Sequence, residues 1–124
     1  MNQTSSVRHL PAQSVPLVGR TKRQLSRPRQ QLLALFQLLN FGRIEGLRVV
    51  AGEPVLEPRP RIVSEVKFAA ENGPRPETGA RDFLLKSQLL ELFANFDELQ
   101  NATIDVLEVK HGLPFRMLVS RDIF

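Results

Sequence analysis

Apolar positions along this chain keep two rhythms, one helical and one strand-like, and the pair of rhythms occurs twice. Leu32, Leu35, Phe36 and Leu39 recur at helical spacing, with Leu33 and Leu38 beside them, which predicts an amphipathic helix. Ser26 is its expected N-cap, and Pro28 falls in the first turn, where a missing N–H costs nothing. Asn40-Phe41-Gly42 ends it, with Gly42 as the expected left-handed residue. From Ile44 a hairpin follows. A three-residue loop, Val50-Ala51-Gly52, pairs Leu47 with Val55 and keeps apolar residues on one face. Glu57-Pro58-Arg59-Pro60 interrupts the return strand, and Arg61–Phe68 resumes it.

The second passage begins after a Gly/Pro-bearing linker at 70–81. Its helix is predicted over Asp82 to Leu99, capped by Thr78 or Asp82, with Leu85, Leu89, Leu92, Phe93 and Phe96 as the buried stripe. A hairpin from Thr103 to Arg121 closes the chain. The loop Lys110-His111-Gly112 pairs Val109 with Leu113, Leu107 with Phe115 and Asp105 with Met117.

The helical segments share Q-L-L-x-L-F, at 31–36 and 88–93, and the strand segments share I-x-x-L-x-V-x-x-G-x-P, at 44–54 and 104–114. The offset is 57 residues in the first motif and 60 in the second, so the second helix–strand connection is expected to be three residues longer. The fold expected is α+β: two αββ repeats forming one antiparallel sheet with two helices on one face, preceded by a disordered basic arm. The arm spans 1–27, the first unit 28–69 and the second 82–124, with 27–124 as one compact domain. Pro54 and Pro114 cannot donate to a ladder, so the strands from Ile44 and Ile104 are expected at the centre and the return strands outside. The expected core is Leu32, Leu35, Phe36, Leu39, Leu47, Val49, Val55, Leu85, Leu89, Leu92, Phe93, Phe96, Leu107, Val109, Phe115 and Met117. Leu33, Leu38, Leu84 and Leu90 are left over for an interface.

Leu35, Phe41-Gly42, Ile44, Leu47, Val49, Gly52 and Val55, with a charged return strand ending near Phe68, make the first unit resemble the small bacterial YezD-like proteins of unknown function. The resemblance covers about residues 30–68. Pro54 and the Pro58/Pro60 break depart from that pattern, and the second unit has Phe96-Asp97 in place of the aromatic-Gly pair. What the resemblance implies is a fold unit, a short helix with an amphipathic hairpin, and no activity.

The 124 residues suit one domain with a real core. No cysteine is present, which excludes disulfides, thiolate catalysis and Cys-ligated zinc and is compatible with a reducing cytoplasm, the expected location. Apolar runs of about five residues are far below the roughly twenty needed to span a bilayer, so no membrane partner is expected.

Charge is unevenly spread. Residues 1–44 carry seven basic side chains and no acidic one, while the remaining 10 basic and all 13 acidic residues leave the rest at −3. A basic arm on an acidic body suggests phosphate contact, and Arg8, Arg20, Lys22, Arg23, Arg27 and Arg29 are the residues expected to bind a polyanion. A solubilising leader is the competing reading.

Chemistry is thinly represented. His9 and His111 are the two histidines; alternation places Asp105 and Glu108 on opposite faces near His111, which does not assemble a metal site. Glu45 and Glu57 across the first hairpin, and Asp97-Glu98, are paired carboxylates without an evident cleft. Gly42, Gly46 and Gly52 fit no phosphate-loop pattern, and Ser64, Ser87 and Ser120 lack a nucleophile-elbow context. No cofactor or metal is called for, and no enzyme is expected. The reading is a small non-catalytic bacterial adaptor or regulatory module with an unknown protein partner, as monomer or homodimer. The alternative is weak, sequence-nonspecific nucleic-acid binding through the arm.

Overall fold

The protein's structure, a computed structural model, describes residues 21–69 and 85–121. A short 3-10 turn, Lys22–Gln24, leads into α1 (Arg27–Leu39). Then come β1 (Gly42–Val50), β2 (Glu53–Val55), β3 (Arg61–Ser64), α2 (Ser87–Leu99), β4 (Ala102–Lys110) and β5 (Leu113–Val119). The strands form one antiparallel sheet in the order β2-β1-β4-β5, and β3 also pairs with β1. The fold is α+β, as expected. β1 and β4 are central, as the prolines required.

Ser26 caps α1: its hydroxyl accepts from the Arg29 N–H at 3.3 Å, while Pro28 occupies the first turn. α2 begins at Ser87, five residues later than expected, and its N-cap Lys86 makes no side-chain cap bond. Thr78 and Asp82 lie outside the described residues, as do the linker and Leu84. Residues 21–27, assigned above to a disordered arm, are docked: Leu25 is buried in the core.

Both helices contain 13 residues, and two residues separate each from its strand. The expected three-residue insertion is therefore absent, and a uniform step of 60 relates the elements. Asn40 (φ 62°) and Gln100 (φ 63°) end the helices at positive φ. Each N–H bonds back to a phenylalanine carbonyl, Phe36 or Phe96, at 2.9 Å. Gly42 is not the terminator. It belongs to β1, where a side chain is excluded because a Cβ would stand 2.2 Å from the Val63 carbonyl oxygen.

The β1–β4 register obeys the same step. Ile44 faces Leu107 and Leu47 faces Ile104, and Arg43–Glu108 is matched by Arg48–Thr103. All four of those apolar residues are fully buried, although only two residues separate Ile44 from Leu47 and Ile104 from Leu107. A strict period of two would put one of each pair on the opposite face. Gly46 at φ 74° provides the break in β1, and a pairing shift between Ile104 and Val106 marks it in β4.

The hairpins turn on two residues, not three. Ala51-Gly52 (φ 52°, 80°) and His111-Gly112 (φ 56°, 73°) are all left-handed, as a type I′ turn requires. Val50 thus pairs with Glu53 and Arg48 with Val55; Lys110 pairs with Leu113, and Leu107 with Met117. A pairing shift between Glu108 and Val109 drops Phe115 out of the ladder, and it is 58% exposed. That shift restores the face a two-residue turn alone would have inverted. Pro54 and Pro114 face Val49 and Val109, one step inside the closing pair. These are non-hydrogen-bonded sites, where the proline nitrogen points away from its partner strand.

Both helices bury their stripes in one cluster with Ile44, Leu47, Val49, Ile104, Leu107 and Val109. Leu33, expected at an interface, is fully buried; Leu38 is exposed as expected. Leu35, Leu90 and Met117 pack against the cluster from partly buried positions, and Val55 is half-buried.

The two halves terminate each other's helices. The Gly52 N–H donates to the Gln100 carbonyl at 2.8 Å, and the Gly112 N–H to the Asn40 carbonyl at 2.9 Å. Helix ends leave carbonyls without intrahelical partners; here the carbonyl of the capping residue of each helix is served by the opposite hairpin turn.

Candidate functional site

The basic residues singled out from the sequence part company. Arg8 and Arg20 lie outside the described residues. Lys22 and Arg23 belong to the 3-10 turn, and Arg27 is exposed at the start of α1. Arg29 turns inward. Its Nη2 donates to the Gly52 carbonyl at 2.9 Å and to Asp97 Oδ1 at 2.5 Å, with Glu53 at 3.6 Å from Nε. Its guanidinium lies 5.0 Å from the Phe93 ring centroid. The Ser26 hydroxyl donates to Glu53 at 2.6 Å. A cation near a helix N-terminus opposes the helix dipole; Glu53 and Asp97 offset it.

The remaining sequence candidates are held in pairs. Asp105 accepts from the Ser120 hydroxyl, and Arg116 donates to Glu108 at 2.9 Å. Glu45 accepts from Arg43 at 2.6 Å and lies 3.4 Å from Arg61. The Arg43 hydrogen bond lowers the Glu45 pKa below its ordinary 4.5; desolvation opposes this, and the charges of Arg43 and Arg61 add to it. Glu57 stands beyond β2 and is not opposite Glu45, whose ladder partners are Arg61 and Val106. His111 is exposed in its turn, edge-on to Phe41 at 4.8 Å. Among the described residues no three His, Asp or Glu side chains gather to hold a metal ion, and no helix is long and apolar enough to cross a membrane. His9 lies outside the described residues.

Two of the concavities among the described residues bear on a site. One, about 390 Å³, lies over the start of β1 and is lined by Arg43, Ser64, Glu65, Glu108 and Lys110 with backbone from Gly42 and Val63. Two of its charges, Arg43 and Glu108, already have partners. The other, about 150 Å³, runs between α2 and β5. Leu92, Leu107, Pro114 and Met117 form its apolar floor, and Gln88, Glu91, Asn95, Phe115 and Arg116 its rim.

A step of 60 residues carries this groove onto α1 and β2. The floor residues Leu92, Leu107 and Pro114 correspond to Leu32, Leu47 and Pro54, all buried. The rim residue Asn95 corresponds to Leu35, which packs against the core; past Phe115 the pairing shift moves the correspondence by one, so Arg116, opposite Glu108, stands where Val55 stands opposite Arg48. The first corner thus carries a leucine packed against the core where the second carries the polar Asn95. Sequence reasoning missed this groove because it aligned the helices three residues out of step. In that alignment Asn95 stands against Leu38, and the substitution of Leu35 is invisible.

Comparisons of this chain with protein families, with curated proteins and with solved structures found no match.

Proposed function

We propose that the protein is a non-catalytic interaction module made of two duplicated helix–hairpin units, fused through β1 and β4, with the α2–β5 groove as its docking site. The observation that carries this is the groove itself, an apolar floor with Asn95 on its rim where Leu35 packs against the core at the corresponding place on α1. An apolar floor with a polar rim is the form a binding hot spot takes: one buried anchor, surrounded by contacts that exclude water. The resemblance of the first unit to the YezD-like proteins accords with this reading, because it implies a fold unit and no chemistry.

Panning a random peptide library on the full chain tests it. Peptides with a single leucine or phenylalanine anchor should be enriched, and Asn95→Leu should abolish the enrichment by placing at the rim the leucine that α1 carries at the corresponding position. Equal enrichment on both proteins, or none on either, refutes the docking site.

The basic segment favours a second activity. Seven positive charges precede the first acidic residue, and Arg8, Arg20, Lys22, Arg23 and Arg27 would give salt-sensitive contact with nucleic acid or another polyanion. Five phosphate contacts on duplex DNA imply a log K against log salt slope near about −4.5, from about −0.9 per contact. A titration of the full chain against a variant with those five residues changed to serine measures it; equal binding removes the segment from the mechanism.

A further inference from the structure

We propose that the outer edge of β5 pairs antiparallel with the same edge of a second copy of this chain, about a twofold axis at Leu118. β5 ends the sheet and, among the described residues, pairs with β4 alone. Alternation along that ladder, followed from the non-hydrogen-bonded Val109–Pro114 pair past the shift at Phe115, turns the N–H and C=O of Met117 and Val119 away from β4. A strand edge with such groups unpaired is a template for another strand. Its side chains are apolar on both faces. Met117 and Val119 pack against the core from partly buried positions, and Leu118, on the face away from the helices, is 49% exposed.

The opposite edge of the sheet is guarded where this one is not. β2 has three residues, and Glu57-Pro58-Arg59-Pro60 follows it before β3 returns to β1. Counted on from Val55 and Arg116, which hold the same place in the two hairpins, Glu57 and Pro58 correspond to Leu118 and Val119. Charge and proline both keep edges from pairing with other chains. The second half has a leucine and a valine at those positions, and β5 runs on to Val119.

The occupant is a second copy because the edge complements itself in one register. With the axis at Leu118, that residue meets its own copy, and Arg116 meets the partner's Ser120. Met117 meets the partner's Val119 and exchanges both backbone bonds with it. Pro114, which has no N–H to offer on that side, falls beyond the ladder. Moving the axis to Met117 would bring Pro114 into the ladder, and moving it to Arg116 would set like charges opposite each other. The contact is isologous, so it closes at a dimer with one continuous sheet. It does not depend on the α2–β5 groove.

Sedimentation velocity on the full chain, over a wide concentration range, reads the dimer. Wild type should associate with concentration and stop at two chains. Val119→Pro copies the first half: it removes an outward N–H and leaves the pairing with β4 in place. The axis removes that donor from both chains, so association should weaken by about tenfold or more. Leu118→Glu and Leu118→Lys each set like charges opposite across the axis and should be monomeric alone; mixed, they should form a one-to-one pair. Circular dichroism confirms that each variant folds. Asn95→Leu, at the groove rim, should associate as wild type does. A monomeric wild type, undiminished association of Val119→Pro, or no pairing in the charge-swapped mixture overturns the inference. Association lost in Asn95→Leu moves the contact to the groove and overturns it as well. A monomeric wild type that still enriches anchored peptides overturns edge pairing and leaves the docking site standing.

Discussion

Arg29 and Leu89 hold the same place in two helices of equal length, and their surroundings differ in kind. At the first corner Arg29 reaches the Gly52 carbonyl, Asp97 and Glu53, so a cation links α1 to the turn and to α2. At the second corner the corresponding residues are Leu89, Gln37 and Leu113. Leu89 is buried, Leu113 packs against the core, and Gln37 is 5% exposed with its Oε1 lacking a hydrogen-bond partner. The apolar corner avoids desolvating a guanidinium, but it leaves a buried amide oxygen unserved. The ionic corner has an unserved atom of its own, Arg29 Nε, with Glu53 at 3.6 Å, on a guanidinium that must itself be desolvated. One backbone accommodates both because the cross-capping of helix ends by Gly52 and Gly112 is the same at each corner.

The comparison breaks most visibly in the core. Phe36 and Phe96 are both fully buried and correspond under the step of 60. Phe36→Ala and Phe96→Ala should each cost about 3–5 kcal/mol, read from urea unfolding midpoints. Costs differing by more than about 2 kcal/mol would show that the halves are not mechanically equivalent.

Next in size is the ionic corner. Arg29→Ala should destabilise by about 1–3 kcal/mol, by leaving the Gly52 carbonyl and Asp97 without their donor. Asp97 is 65% exposed on its side chain, so solvent screens the pair, and the Arg29/Asp97 double-mutant cycle should return about 1 kcal/mol or less. A coupling energy near zero would assign Arg29's contribution to the Gly52 carbonyl and the Phe93 ring.

At the apolar corner the sign reverses. Gln37→Leu removes an unpartnered buried oxygen, so it should be neutral or stabilising by about 1 kcal/mol. A loss of more than that would mean that a water serves the amide.

The smallest effect lies on the exposed side of the sheet. Glu45 has a lowered pKa, so its contribution to stability is fully present above its ordinary value and is lost as pH falls through the lowered one. A carboxyl titration by NMR should find Glu45 below 4.5, and Arg43→Gln should move it back up. An unshifted Glu45 in wild type removes the Arg43 contact from solution behaviour.

Particular residues show where the chain was legible. Ser26 and Pro28 marked the start of α1, and Pro54 and Pro114 placed the outer strands, because each acts through its own backbone chemistry. Aligning the helices through Q-L-L-x-L-F failed for a physical reason. A leucine-rich stripe of period 3.6 nearly matches itself when slid by three or four residues, so the word can recur out of phase. The structure pairs Leu32 with Leu92, and the helix ends at Asn40 and Gln100 settle the phase through φ. Turn length failed similarly in the second hairpin, because a two-residue turn followed by a pairing shift preserves the same face as a three-residue turn.

The chain by itself determined the kinds of element, their order, the central strands and most of the core, all of which follow from local periodicity and from residues that cannot donate or must turn. Only the tertiary structure decided that Arg29 faces inward, that Leu33 is buried, that Phe115 leaves the ladder and that the α2–β5 groove is open. Those outcomes depend on which distant residue occupies the neighbouring space, Asp97 for Arg29, and β5 beside Asn95 of α2 for the groove. Pattern along one segment carries no record of that.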